Sequence, residues 1–219
     1  MKTKLYTYIF LFTLNLPSYG LASTIDLTIG MGDGYVSSLY RFNLEDITGY
    51  GYRFAGAFQG TSVDGDVTHL FCVDIVTAIP DGTYEFTVNE LDSMHSKYHE
   101  AAWLMDRYSG SIATLGAPLQ VAIWEVIHES EDNGFNLYDG TFNIHSAFVP
   151  YEVELQEITD TFLSEYDVNA NLAQYVVYTN PDIQDVSGFD ITEVPEPPSM
   201  VIVLVLFALG CARNVKPIV

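Results

Sequence analysis

Residues 101–127, AAWLMDRYSGSIATLGAPLQVAIWEVI, decide the fold of this chain, because the spacing of apolar residues changes here. Ala101, Leu104, Met105 and Tyr108 recur at i, i+3, i+4 and i+7, which predicts an amphipathic helix over 92–108. Leu119, Ala122, Ile123, Val126 and Ile127 repeat that spacing. With Pro118 suited to a first helical turn, they predict a second helix over about 118–129. Upstream the period is two. Ile25-Asp26-Leu27-Thr28-Ile29 alternates apolar and polar residues, and 36–44, 51–59, 69–77 and 83–88 are rich in aromatic and β-branched residues between Gly- and Asp-rich turns. Downstream, 150–166 predicts a third helix, and 175–179 and 186–191 return to strand. The expected class is α+β: a β-rich sandwich or barrel-like domain carrying an inserted subdomain of two to three helices.

The 219 residues include 29 acidic and 8 basic ones, a net charge of −21. Nucleic acid is excluded as a partner on this charge, and a membrane surface is expected only at the C-terminal segment. A hydrophobic content of 48% argues against a disordered acidic tail.

Both ends read as addresses. Lys2 and Lys4 precede an apolar run from Leu5 to Leu16, and Gly20-Leu21-Ala22 offers small residues for cleavage, so residues 1–22 read as a signal peptide. At the other end, Val194-Pro195-Glu196-Pro197-Pro198-Ser199 precedes an uncharged run over 200–212, with Arg213 and Lys216 behind it. Thirteen residues make a helix of about 20 Å, short of the roughly 30 Å hydrocarbon core, which suits a transient anchor. Positive charge after the run predicts a cytoplasmic C-terminus. Between the ends lies one domain, 23–191, followed by the sorting segment 192–219. Residues 23–193 hold 28 of the acidic and 4 of the basic residues, a net of −24, and a single cysteine, Cys72.

The tail, with Pro195, Glu196 and Pro197 at its head, resembles the PEP-CTERM sorting signal of Gram-negative bacteria that secrete exopolysaccharide. The resemblance implies an exosortase-type membrane enzyme as partner. It also implies a periplasmic body held briefly at the inner membrane, then sent to the cell surface or the biofilm matrix.

Within the body, Leu70-Phe71-Cys72-Val73-Asp74 and Leu119-Gln120-Val121-Ala122-Ile123-Trp124 resemble the thioester domains of bacterial surface adhesins. The resemblance implies that Cys72 and Gln120 join in an internal thioester, with loss of ammonia. That bond would attach the protein covalently to an amine or hydroxyl on the matrix or a neighbouring surface, once per molecule and without turnover. No enzyme activity is expected. Pro118 at the first helical position would put Gln120 in the first turn, where free N–H groups gather. Phe71, Trp103 and Trp124 are expected as pocket walls. Strand alternation puts Asp74 on the Cys72 face, about 7 Å along.

Other readings stay open. A buried cysteine is commonly a small core hydrophobe, and the chain would then be a non-covalent acidic structural protein of the matrix, stabilised by calcium. Asp64-Gly65-Asp66 and Gly32-Asp33-Gly34 are the turns that would serve calcium, but neither fits the EF-hand spacing of ligands, so no cofactor is assigned. Cys72 with His69, His128 or His145 would make a cysteine hydrolase, the least favoured reading. His95 and His99 are spaced i, i+4, but no third ligand is fixed, and no metal is expected.

Overall fold

A computed structural model describes residues 23–31, 38–44, 51–129, 135–144 and 150–190. The predicted signal peptide, the sorting segment with its hydrophobic run, Gly32-Asp33-Gly34 and His145 lie outside these residues.

Six antiparallel strands close into a barrel in the order β1-β4-β5-β9-β8-β6, with β6 pairing back to β1. They are β1 (Ser23–Met31), β4 (Phe58–Ser62), β5 (Val67–Cys72), β6 (Gly82–Glu90), β8 (Tyr175–Thr179) and β9 (Val186–Phe189). The period-two pattern does its expected work: in β1, Leu27 and Ile29 are buried while Asp26 and Thr28 face solvent. A second sheet, β3-β2-β7, consists of β3 (Gly51–Ala55), β2 (Ser38–Leu44) and β7 (Phe142–Ile144). The domain is therefore α+β with a barrel, as the sequence implied.

Three helices lie between β6 and β8 in the chain: α1 (Ser96–Arg107), α2 (Ile112–His128) and α3 (Glu152–Glu165). Helix α2 is the centre of the molecule. It packs against α1, α3, β5 and two strands of the second sheet, and 12 of its 17 residues are buried. An apolar helix of this kind is stable only because its neighbours cover it on all sides.

Several predicted boundaries move. The stretch 51–59 is two strands in two sheets, with the chain crossing from one to the other at Gly56-Ala57. The strand expected over 69–77 stops at Cys72 and continues as a turn. Residues 92–108 divide into a 3-10 turn, Leu91–Ser93, and α1. The largest correction concerns α2, which begins at Ile112, so Pro118 sits inside it and Gln120 is its ninth residue. The first-turn position expected for Gln120, and the dipole argument built on it, therefore fail.

One close approach fixes the site. Strands β5 and β9 pair with Leu70 opposite Gly188 and Cys72 opposite Val186. A Cβ on Gly188 would meet the His69 carbonyl oxygen at 2.3 Å, so only glycine lets these strands pair here.

Candidate functional site

The end of β5 carries Cys72 into the interior, 2% exposed, where two carboxamides converge on it. The first is Gln120, fully buried on α2. It accepts the Cys72 N–H at Oε1 (2.9 Å) and donates from Nε2 to the Cys72 carbonyl (2.8 Å). A side-chain amide thus completes the backbone pairing of Cys72 where the strand runs out. The second is Gln184, 5% exposed, just before β9. The thiol donates to Gln184 Oε1 at 2.9 Å, and Gln184 Nε2 donates to the Asp74 carbonyl. The expected partner of the sulfur, Gln120, binds the cysteine backbone, and the carboxamide facing Sγ is that of Gln184.

The turn after Cys72 is held almost group by group. Val73 N–H donates to the Asp185 carbonyl (3.0 Å). Asp74 Oδ1 accepts from the N–H groups of Val76 (2.8 Å) and Thr77 (3.4 Å). Ile75 N–H donates to His128 Nε2 (3.4 Å). Arg53, reaching from β3, donates from Nε to the Ile75 carbonyl and from Nη2 to the Val76 carbonyl, both at 3.0 Å. Because the strand ends at Cys72, Asp74 is placed by this turn and not by strand alternation. Its carboxylate caps the turn, and its carbonyl is the group that meets Gln184.

Burial and nearby charges set the ionisation of the groups around the site. Burial, and then the charge of Asp74, push the Cys72 thiol well above its ordinary 9.0, so sulfur holds its proton at rest. Asp185 is raised by burial, against the Asn180 N–H bond that lowers it, with Asp74 raising it further. Tyr98 is raised by burial and then by Asp185 and Asp74. His128 is lowered to about 4, chiefly by burial, with Asp74 opposing and Lys97 assisting. It is a neutral acceptor whose Nε2 is occupied by Ile75, a poor arrangement for the base of a cysteine hydrolase.

The aromatic residues named as pocket walls have separate places. Phe71 is buried beside Cys72 on β5, opposite Ser187 of β9. Trp103 packs edge-on to Phe162 and Tyr166 of the α3 region, at 5.9 and 5.8 Å between centroids. Trp124 leans on Phe42 of the second sheet at 6.5 Å. Neither tryptophan is needed to explain the contacts of Sγ. Of the histidine pair, His95 caps α1 by accepting the Lys97 N–H, and His99 lines a separate cavity of about 360 Å³ with Glu90, Asp92 and Tyr175. The turn Asp64-Gly65-Asp66 is the β4–β5 hairpin, closed by Ser62 through bonds to Asp66 and Gly65. Among the described residues, no group of three or more metal-ligating side chains gathers.

Comparison with protein-family models, with curated proteins and with solved structures returned no match for this chain.

Gln184 is the residue that sequence reasoning missed. Ile183-Gln184-Asp185-Val186 carries no mark of its own. Gln184 reaches Cys72 across 112 residues, through the pairing of β5 with β9.

Proposed function

We propose that this chain is an exported, single-use attachment protein whose Cys72 and Gln184 form an internal thioester. The observation that carries this reading is the 2.9 Å contact of Sγ with Gln184 Oε1 in a site closed to water. Sγ attacks Cδ of Gln184, a C–S bond forms and the C–N bond breaks. Nε2 leaves as ammonia, taking the thiol proton as its third hydrogen. The products are a thioester and ammonia, with no oxidant or added reagent. An incoming amine or hydroxyl then attacks the same carbon, the C–S bond breaks, and sulfur recovers a proton. The target ends on Gln184 through an amide or ester.

A carboxamide is a weak electrophile, so held geometry must supply much of the rate, on the order of 7–11 kcal/mol for well-oriented groups. Gln120 fixes the cysteine backbone, and Asp74 holds the departing nitrogen through its carbonyl. Burial then keeps water from the bond. The same burial raises the thiol and favours the second reading, a structural acidic matrix protein in which Cys72 is an unreacted core residue. In either reading, the signal peptide at 1–22 exports the body, and the Pro195-Glu196-Pro197 tail, its apolar run and Arg213 and Lys216 hold it at the inner membrane for an exosortase-type enzyme that passes it on to the cell surface or matrix.

Intact mass of the purified protein separates the two. The thioester reading expects the wild type to be lighter by one ammonia, to take up methylamine, and to keep Cys72 from alkylation even when unfolded until methylamine is added. Cys72→Ala keeps its full mass. A wild type of full mass, whose Cys72 peptide is alkylated once the chain is unfolded, would leave the structural reading.

A further inference from the structure

The acidic body has four basic residues, and one of them, Arg53, spends its guanidinium on two backbone carbonyls. It belongs to β3 in the second sheet, while the carbonyls of Ile75 and Val76 belong to the turn that leaves the barrel at Cys72. These two carbonyls have left the β5 ladder, and a fork of fixed donors holds both at once. Between Cys72 and the Arg53 contacts stands Asp74, whose carbonyl receives the Gln184 amide nitrogen. His128 holds the other side of the same turn through the Ile75 N–H.

The consequence is geometric. An unpinned turn regains backbone entropy, so it samples more directions for the Asp74 carbonyl. Gln184 follows that carbonyl, because its Nε2 is bound to it. Its Oε1 and Cδ then leave Sγ.

We propose that Arg53 is a positioning residue for the Cys72–Gln184 reaction. By fixing the Ile75 and Val76 carbonyls it aims the Asp74 carbonyl at Gln184 Nε2 and keeps the Gln184 carbonyl carbon against Sγ. This rests on the thioester reading above. It adds that a side chain of the second sheet, acting through the turn, sets the rate at which the bond closes. Lysine has one nitrogen where arginine has a fork, so the charge alone does not suffice.

Ring closure in the folded full-length chain is the test. Ammonia opens the thioester and restores the Gln184 carboxamide. After ammonia is removed, intact mass follows its loss again over time, with melting temperature recorded in parallel. Arg53→Ala is expected to close about 10- to 100-fold more slowly than wild type, the range a small misplacement of reacting groups produces. Arg53→Lys is expected to be slowed by about tenfold. Millimolar guanidinium ion should speed Arg53→Ala and leave wild type unchanged, a response that a loss of stability alone does not give. Arg53→Lys keeps the charge and most of the side chain, so its rate decides the matter if Arg53→Ala fails to fold. If the folded variants close at the wild-type rate, with only the melting temperature lowered, Arg53 is structural and the thioester reading stands. If the wild type never loses ammonia, the thioester reading falls and the role of Arg53 with it.

Discussion

Helix α2 grips the rest of the chain on two of its faces, and the chemistry of the two grips differs. On one face Gln120 and His128, about 12 Å apart along the axis, hold the backbone of Cys72 and Ile75. Both are neutral, and a carboxamide can donate and accept at once. On the other face Glu125, with Glu129 at the helix C-cap, holds the loop that leads to β7. Glu125 Oε1 accepts the Asn136 N–H (2.7 Å), and Glu129 accepts the N–H groups of Thr141 and Phe142 (3.0 and 3.3 Å). Gly140, with φ of 114°, passes so close that a Cβ would collide with the Glu129 carboxyl. Glu125 is fully buried, and its Oε2 has no hydrogen-bond partner. Burial pushes its pKa up to about 8, with the Asn136 bond opposing, Glu129 adding to it and Lys97 relieving it. The Cys72 backbone is therefore held by Gln120, which carries no charge, while the β7 loop is held in part by Glu125, whose charge changes near physiological pH.

The sharpest way to break this contrast is to remove the carboxamide proposed to react, Gln184, and leave the supporting one, Gln120. Gln184→Ala should abolish ammonia loss completely in a folded protein, read by intact mass. Gln120→Ala should act first on stability. It leaves the Cys72 N–H and carbonyl buried without partners, at a cost of about 2–4 kcal/mol in denaturant unfolding.

The pH dependence distinguishes the two grips next. Glu125 has a folded pKa raised from 4.5 to about 8, so the folded state holds a proton that the unfolded chain releases. Its contribution is fully present below 4.5 and is lost as pH rises to about 8, at about 1.4 kcal/mol per pH unit. His128 works the other way: lowered from 6.5 to about 4, it adds stability as pH rises through that interval. The two slopes oppose each other where they overlap, and Glu125 acts alone between 6.5 and about 8. Wild type should thus lose stability in that upper window, and Glu125→Gln should flatten the loss. His128→Gln should extend the Glu125 slope down toward 4.5. Melting curves at a series of pH values read all three. The smallest effect is expected away from both grips: Arg107→Ala breaks the exposed pair with Glu165 and should cost less than about 1 kcal/mol in the same unfolding measurement.

What was legible in the sequence was what local spacing determines. The strand at 175–179 is bounded as predicted, since Tyr-Val-Val-Tyr-Thr is β-branched and aromatic throughout and stops at Asn180-Pro181. The start of α2 was not legible, because Pro118 reads as a helix beginning, whereas tertiary burial carries the helix through it. The crossing at Gly56-Ala57 was hidden because both strands beside it carry the same kind of residues, and only pairing partners tell their sheets apart. Cys72 was legible as the lone cysteine of the body, and the Gln120 segment by its helical spacing. Which glutamine faces the sulfur was not, because that depends on the register of β5 against β9.

The central claim is that the carboxamide of Gln184, and not that of Gln120, is the acyl group Cys72 captures. Peptide mapping of the methylamine-treated full-length protein tests it most directly. The account predicts the added methylamide on Gln184, with Gln120 unmodified and the Cys72 thiol set free in equal amount. Methylamide on Gln120, or an unmodified Gln184 beside a thiol that was free from the start, would contradict it.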